Sequence, residues 1–274
     1  MRILLTGSSG SIGRHVREEL ISFNYEVISI GRCPVANDYI VDLTDKDAVN
    51  GVCSKIRKVD CVVHLAAKAH GLGQTSKQEL IKQNLSATKY LINAISTHFD
   101  LAEIHFILAS TTAVLDASVN LPLTPYAESK IMAEKLVINS GFGSVSVLRF
   151  AAVFSDEILQ DISKRVFIPG TKIKVLLVSS PKYCLCHLQT AVRSVLERVR
   201  CPEKCVTKVI CEPRLLSQSR ISKLMPGWFS LPFPRFLVKT FGSILLSSRI
   251  TVCVAIGNLV SKVANPIDYR EIDG

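Results

Sequence analysis

The sequence predicts an α/β fold, a doubly wound parallel sheet with a small C-terminal lobe, and three observations carry the prediction. Short apolar runs alternate with helical patterns as far as residue 150, the signature of successive βαβ units. A Gly-x-x-Gly-x-x-Gly cluster (Gly7, Gly10, Gly13) interrupts the first run and opens the first helical pattern. Beyond Phe154 these signals weaken. Residues 1–154 therefore read as the sheet domain, and 155–274 as a smaller, partly helical lobe interleaved with it through strands that return to the main sheet.

Each element follows from a local pattern. Arg2 to Thr6 is the first strand, and Ile12 to Phe23, amphipathic after the glycines, is the first helix. Glu26 to Ile30 and Tyr39 to Asp42 are the next strands, followed by a helix from Lys46 to Lys58. Cys61 to Ala66 is nearly all apolar, as expected of a strand covered on both faces. A long helix spans Ser76 to His98, and a strand spans Ile104 to Ala109. After a loop with Pro122 and Pro125, Tyr126 to Asn139 is helical and Ser144 to Arg149 is a strand. Thr190 to Arg200 is helical, and the Pro-rich Met225 to Arg235 is a loop carrying Trp228. The apolar stretch from Phe236 to Val260 is broken by Lys239 and Arg249, so it falls short of a membrane span. It reads as an amphipathic helix docked on its own domain, with weak peripheral membrane contact as the alternative.

At 274 residues, 48% apolar and 20% charged, the chain has enough core for one large unit with an appended lobe. The net charge of +10 is scattered rather than blocked. That argues against a nucleic-acid stripe and suits an anionic, nucleotide-bearing small substrate. Nine cysteines without a secretory signal point to a cytoplasmic protein with free thiols. Cys184, Cys186, His187, Cys201 and Cys205 are spaced C-x-C-H and C-x-x-x-C, unlike the paired C-x-x-C knuckles of structural zinc sites, so no metal is expected.

The glycines carry the first chemical signal. Gly7 makes the tight turn after the strand, Gly10 lets backbone approach a pyrophosphate, and Gly13 lets the helix sit close to the sheet. The helix start at Ser11 and Ile12 then offers unpaired N–H groups and a positive dipole end to phosphates. An acid after the second strand would bind an adenosine 2′-hydroxyl, but Gly31-Arg32 stands there. A guanidinium matches a 2′-phosphate, so NADP is preferred over NAD. Asp42 and Leu43 are placed to face the adenine edge.

Tyr126-Ala-Glu-Ser-Lys130 carries the second signal, because residues four apart share a helix face. An ammonium beside a phenol lowers the phenol pKa, which suits proton exchange with a carbinol oxygen near neutral pH. Ser110-Thr111-Thr112, at the tip of the preceding strand, brings hydroxyls toward the same oxygen.

In this order, TGSSGSIG, Asp42-Leu43, His64-Leu65-Ala66-Ala67, Asn84, Ser110-Thr111, YAESK and Leu148-Arg149 resemble the extended short-chain dehydrogenases/reductases, which have a Rossmann fold. Within them the chain is similar to the NAD-dependent epimerase/dehydratase group that modifies nucleotide sugars. The subgroup it most resembles comprises UDP-glucose 4-epimerase-like proteins and UDP-4-keto-6-deoxy-HexNAc 4-reductases of bacterial surface polysaccharide synthesis. Those proteins share His64-Leu-Ala-Ala-Lys-Ala-His70 and the segment from Pro125 to Glu134.

The resemblance implies that Tyr126 is the general acid or base, that Lys130 holds the nicotinamide ribose and tunes Tyr126, and that Thr111 orients the substrate oxygen. Leu65, Ala66 and Ala67 then pass beside the cofactor, Asn84 supports the site from the helix behind, and Phe150 to Val153 line the nicotinamide. Lys68, His70, Thr111, Thr112 and Arg149 are the candidate substrate contacts. Lys164-Arg165, Lys172 to Lys174 and Arg193 to Arg200 are candidates for a diphosphate, with solvated helix and loop faces as the alternative, and Trp228 and Phe233 for a uracil ring, with core or lid packing as the alternative. Relatives of this kind pair through the two long helices, which implies a homodimer.

Two departures bear on the reaction. Phe150-Ala-Ala-Val-Phe154-Ser155 replaces the usual proline and Tyr-Gly pair after Arg149, and Lys182 to Thr190 departs from the usual basic and acidic-or-amide pattern. They leave the cofactor half intact and the sugar open. A 4-keto nucleotide-sugar reductase, a 4-epimerase with retained NAD, and an idle NADP-binding regulator are the three readings, and the intact Tyr126–Lys130 pair with Thr111 argues against the last.

Overall fold

The computed structural model describes residues 1–68, 75–163, 165–167, 173–225, 229–233, 260, 263 and 265–272. The apolar runs of the first half form β1 (Arg2–Thr6), β2 (Glu26–Gly31), β3 (Tyr39–Ile40), β4 (Cys61–His64), β5 (His105–Thr111) and β6 (Ser144–Phe150). Four short strands follow: β7 (Ala152–Phe154), β8 (Ile173–Leu177), β9 (Lys182–Tyr183) and β10 (Leu185–His187). The chain then makes β11 (Cys205–Ile210), β12 (Leu216–Ser217) and β13 (Phe229–Phe233). The helices are α1 (Ser11–Ser22), α2 (Lys46–Cys53), α3 (Lys77–Leu80), α4 (Ala87–His98), α5 (Pro125–Ile138), α6 (Gln160–Ser163), α7 (Leu188–Arg200) and α8 (Gln218–Lys223).

The main sheet has seven strands in the order β11-β6-β5-β4-β1-β2-β3, and all its neighbours are parallel. The order reverses between β1 and β4. In doubly wound sheets that reversal opens a crevice at the carboxyl ends of the strands. β4 is buried along its whole length, and β5 along all but Thr111, because helices cover both faces of a parallel sheet.

The chain divides into two units that alternate along the sequence. The first comprises residues 1–114, 123–150 and 189–210; the second comprises 115–122, 151–188 and 211–274. The first unit's core packs Leu4, Ile30, Val62, Leu91, Phe106 and Val147 with their neighbours. The second has its own core of Phe154, Ile162, Val166, Tyr183, Leu185, Ile221 and Met225. There, the buried Gln218 accepts from the Leu177 amide at 2.7 Å and donates to the Arg165 and Val175 carbonyls, tying three segments together.

Several expectations are corrected. The helix from 76 to 98 is interrupted: α3 passes into a π-helical stretch at Ile81–Ser86 before α4. The third strand ends at Ile40, because Asp42 folds back to bind Thr44. The strand from Cys61 ends at His64, and the helix from Lys46 ends at Cys53. Pro125 is the first residue of α5 rather than part of the loop, its missing N–H being harmless there. Phe229–Phe233, expected as loop, is a strand paired, among the described residues, with β8 alone, where Pro232 costs no second ladder. The apolar stretch from 236 lies outside the described residues up to 259, and no helix among the described residues is long and apolar enough to cross a membrane.

Candidate functional site

In the first unit, β1 runs into the glycine turn. Gly7 has φ +78°, and a Cβ on it would sit 2.6 Å from the Ala66 nitrogen. A Cβ on Gly13 would lie 2.0 Å from the Gly7 carbonyl oxygen. Both positions therefore require glycine: one brings β1 and β4 chain ends together, the other lets α1 start directly behind the turn. Gly10 caps α1 without a side-chain hydrogen bond, so no side chain occupies the cap.

A cavity of about 700 Å³ opens over this turn. Its walls are Gly7, Ser9 and Gly10; Gly31 to Cys33 with Asn37; Val41 to Leu43; Leu65 to Lys68; and Glu79, Gln83 and Ala87. Of the expected cofactor contacts, Gly7, Gly10, Arg32, Asp42, Leu43, Leu65, Ala66 and Ala67 meet here. Ser11, Ile12 and Gly13 form the first turn of α1 just behind.

Arg32 is exposed on the wall. Asp42 is already engaged: its Oδ1 accepts from the Thr44 amide and hydroxyl, both at 2.9 Å. Those bonds, with Arg32 and Lys82 nearby, hold its carboxyl below the usual range. Ser8 and Asn37 escaped the sequence reading. Ser8 Oγ lies 2.8 Å from the Ala36 carbonyl and 2.6 Å from Asn37 Oδ1, and Asn37 Nδ2 donates to the Cys33 carbonyl at 2.8 Å. Asn37 thus clamps the loop bearing Arg32 to the glycine turn. The only signal for it was an asparagine in a short Pro-containing loop.

Behind the wall a buried relay fixes the end of β4. Thr88 must donate to the Asn84 carbonyl at 2.6 Å, so it accepts from His64 Nε2–H at 2.9 Å. His64 Nδ1 therefore accepts the Thr6 hydroxyl at 2.7 Å, and Thr6 Oγ1 accepts the Ala66 amide at 3.2 Å. Burial, with the charge of Lys130, pushes His64 down to about 3, so the ring stays neutral in this single tautomer. The π-helical stretch carries Asn84, whose Oδ1 accepts from the Lys68 amide at 2.8 Å. Its Nδ2 donates to the Lys68 carbonyl and to Ser129 Oγ, and Ser129 donates to the Tyr126 carbonyl. One amide side chain so joins the Leu65–Lys68 wall to the first turn of α5.

Tyr126 is the second residue of α5, which Thr124 caps by accepting from the Ala127 amide at 3.2 Å. One turn on, Lys130 is buried and donates to the Ala109 carbonyl at 2.7 Å. Burial pulls its ammonium down to about 8, with Glu134 pulling the other way. Thr111 ends β5, three residues past the level where Leu108 pairs with His64, and its Oγ1 accepts from the Ala113 amide at 3.3 Å. Thr112 follows and is buried.

Lys68 lines the cavity with its ammonium 3.6 Å from Glu79. Arg149 grips Glu134 with Nε at 3.2 Å and Nη2 at 2.9 Å, while Ser110 donates to the same carboxylate. Phe150 is buried at the end of β6, and Val153 belongs to β7 of the second unit. Lys174 is buried, donating to the Ser222 carbonyl, and Arg165 lies over the Tyr183 ring. Arg198 is tied to Glu197 and Glu203. His70, Lys164, Lys172 and Trp228, and the Phe233 side chain, lie outside the described residues. Cys184 and Cys186 are buried, whereas Cys201 and Cys205 are exposed. A second cavity, of about 440 Å³ between Val119, Leu121 and residues 265–272, contains none of the expected site residues.

Residues 3–172 match the NAD dependent epimerase/dehydratase family. The chain belongs to this family. Members similar to it include a decarboxylating sterol-4-alpha-carboxylate 3-dehydrogenase of Dictyostelium discoideum, 28% identical over 50% of this chain and 47% of that one. A Drosophila melanogaster UDP-glucose 4-epimerase is 27% identical over 49% of this chain and 47% of its own. The chain thus spans about half the length of these relatives.

Solved structures share the family fold. A Campylobacter jejuni UDP-Glc/GlcNAc 4-epimerase aligns with a TM-score of 0.68 at 16% identity, covering 85% of this chain and 86% of that one. A Clostridium acetobutylicum dTDP-4-dehydrorhamnose reductase aligns with 0.65 at 18% identity, covering 85% and 84%. A Thermus thermophilus UDP-glucose 4-epimerase in complex with NAD gives 0.62 at 17% identity over 97% and 100%.

Proposed function

We propose that this chain is an NADPH-dependent reductase of a 4-keto nucleotide sugar, a UDP- or dTDP-linked hexose or N-acetylhexosamine, in bacterial surface polysaccharide synthesis. The observation that carries the reading is the buried Lys130 one helical turn from Tyr126 at the carboxyl edge of the sheet. The glycine turn, which admits no Cβ at Gly7 or Gly13, and the adjoining 700 Å³ cavity fit a dinucleotide.

When bound, the dinucleotide supplies hydride for C4 of the sugar. Gly7, Gly10 and the α1 start at Ser11 to Gly13 receive its pyrophosphate, Arg32 its 2′-phosphate, and Asp42 and Leu43 its adenine edge. Leu65 to Ala67 and Phe150 pack the nicotinamide end. Tyr126 gives its proton to the C4 oxygen as that oxygen becomes a hydroxyl. The Lys130 ammonium favours the phenolate that remains and holds the ribose. Thr111 orients the oxygen, and Lys68, His70 and Thr112 are the residues assigned to the rest of the substrate, Arg149 being held by Glu134. On this reading the enzyme is cytoplasmic and pairs through α4 and α5.

The named epimerases among its relatives favour a second reading, a 4-epimerase with retained NAD in which Tyr126 passes the same proton both ways. The absence of an acid after β2, where Gly31-Arg32 stands, supports NADP instead. A screen of UDP- and dTDP-linked 4-keto sugars for NADPH oxidation, with the 4-hydroxy sugars scored for epimerisation, separates the two. Tyr126→Phe is expected to abolish turnover with cofactor affinity nearly unchanged; an active variant overturns the assignment. NADP(H) is expected to raise the melting temperature more than NAD(H), and equal or reversed shifts remove Arg32 as the discriminator.

A further inference from the structure

We propose that Cys184 and Cys211 form a peroxide-sensitive thiol pair that closes to a disulfide where the chain leaves the second unit and returns to it. The second unit gives up the chain after Leu188 and regains it at Cys211, the intervening residues forming most of α7 and all of β11 in the first unit. Cys184 joins β9 to β10, and Cys211 directly follows β11. The Glu212 amide donates to the Leu185 carbonyl at 2.7 Å, and the His187 amide donates to Glu212 Oε1 at 3.1 Å. These bonds hold the outgoing and returning segments side by side and bring the Cys184 and Cys211 thiols close enough to interact.

The pair is chemically asymmetric. Cys184 is buried, and its sulfur also accepts the Tyr269 amide; Cys211 is half-buried. The contact with Cys184, with the Arg270 guanidinium nearby, holds the Cys211 thiol below its ordinary value against the opposing charge of Asp268. The same contact, with burial, pushes Cys184 up. Cys211 is therefore the sulfur that ionises and meets solvent, and Cys184 the one that resolves. Among the described residues no three His, Cys, Asp or Glu are placed together to hold a metal ion. Cys186, the nearest competitor, is fully buried with its thiol on the His187 carbonyl at 3.5 Å.

The oxidant is a hydroperoxide. The Cys211 thiolate attacks one peroxide oxygen; an S–O bond forms, the O–O bond breaks, and hydroxide leaves to take a proton as water. Cys184 sulfur then attacks the Cys211 sulfenic sulfur; the S–S bond forms, the S–O bond breaks, and the departing hydroxide takes the Cys184 proton. Two thiols lose two electrons and hydrogen peroxide becomes two waters.

The reduced full chain is treated with stoichiometric hydrogen peroxide, alkylated, digested without reductant and mapped by mass spectrometry. The expected product is a cross-linked pair of peptides carrying Cys184 and Cys211, two hydrogens lighter than their sum and separated by dithiothreitol. Cys184→Ser is expected to leave Cys211 trapped as a sulfenic acid that dimedone captures. Cys211→Ser, at the more open position, is expected to leave Cys184 fully alkylated and the circular dichroism unchanged. Cross-linking of Cys211 to Cys186, or a reduced Cys184 while exposed Cys201 and Cys205 oxidise, overturns the proposal. So does a wild-type cross-link that persists at Cys184 in Cys211→Ser.

Discussion

Replacing Lys130 by methionine is expected to change stability in opposite directions at neutral and alkaline pH. Burial lowers this ammonium from an ordinary 10.5 to about 8. At ~1.4 kcal/mol per tenfold change in proton affinity, the native state then carries a penalty of about 3 kcal/mol while the group is charged. The native value lies below the unfolded one, so the penalty is complete below pH 8. It fades as pH rises from about 8 to 10.5 and is absent above that. Methionine removes the charge and also the bond to the Ala109 carbonyl, whose loss costs about 1.5–3 kcal/mol. Glu134 keeps Arg149, so no orphan carboxylate is created. The variant should gain about 1 kcal/mol at pH 7 and lose about 1–2 kcal/mol at pH 10. Urea denaturation at the two pH values measures both, the decisive quantity being the swing of about 2–3 kcal/mol in the variant-minus-wild-type difference. A difference that does not move between pH 7 and 10 would refute a buried, depressed Lys130. The same variant is expected to lose turnover, so a gain in stability at pH 7 would mark the charge as retained at the expense of the fold.

Gly13→Ala places a Cβ 2.0 Å from the Gly7 carbonyl. It should cost about 1–3 kcal/mol by overpacking and abolish dinucleotide binding in calorimetry. Gly51→Ala, in α2 with nothing within 4 Å, is the control and should raise stability by about 0.5–1 kcal/mol in the same melts. Asn84→Ala strips partners from the Lys68 amide and Ser129, and should cost about 2–3 kcal/mol while weakening cofactor binding; unchanged binding would detach the π-helical stretch from the site. Asn37→Ala frees the Cys33 carbonyl and the Ser8 clamp, so titrations should show NADP affinity falling about tenfold, with under about 1 kcal/mol lost from stability. The His64 ring, held neutral down to about pH 3, should show no titration between pH 5 and 8 by NMR.

The seven-stranded sheet was legible through β6 because parallel strands covered on both faces leave nearly continuous apolar runs. β11 left no such trace: Cys205–Ile210 is an edge strand whose positions are exposed or half-buried except for Ile210. Asn84 was readable through resemblance, but not the π-helical stretch that carries it, since that depends on i→i+5 bonding no side-chain period announces. Ser8 and Asn37 were not singled out because their partners, each other and the Ala36 and Cys33 carbonyls, are set by how a loop returns over the glycine turn. Arg149 looked available from its place at a strand end; the buried Glu134 one helix away engages it.

The sequence by itself determined the sheet, the glycine turn and the Tyr126–Lys130 spacing, because backbone sterics and helical and strand periods act over a few residues. Only the tertiary structure decided the rest: the depressed Lys130, the single tautomer of His64, the engagement of Asp42 and Arg149, and the meeting of Cys184 with Cys211. Each of those depends on how much water is excluded and which polar group lies opposite, and both are settled between residues far apart in the chain.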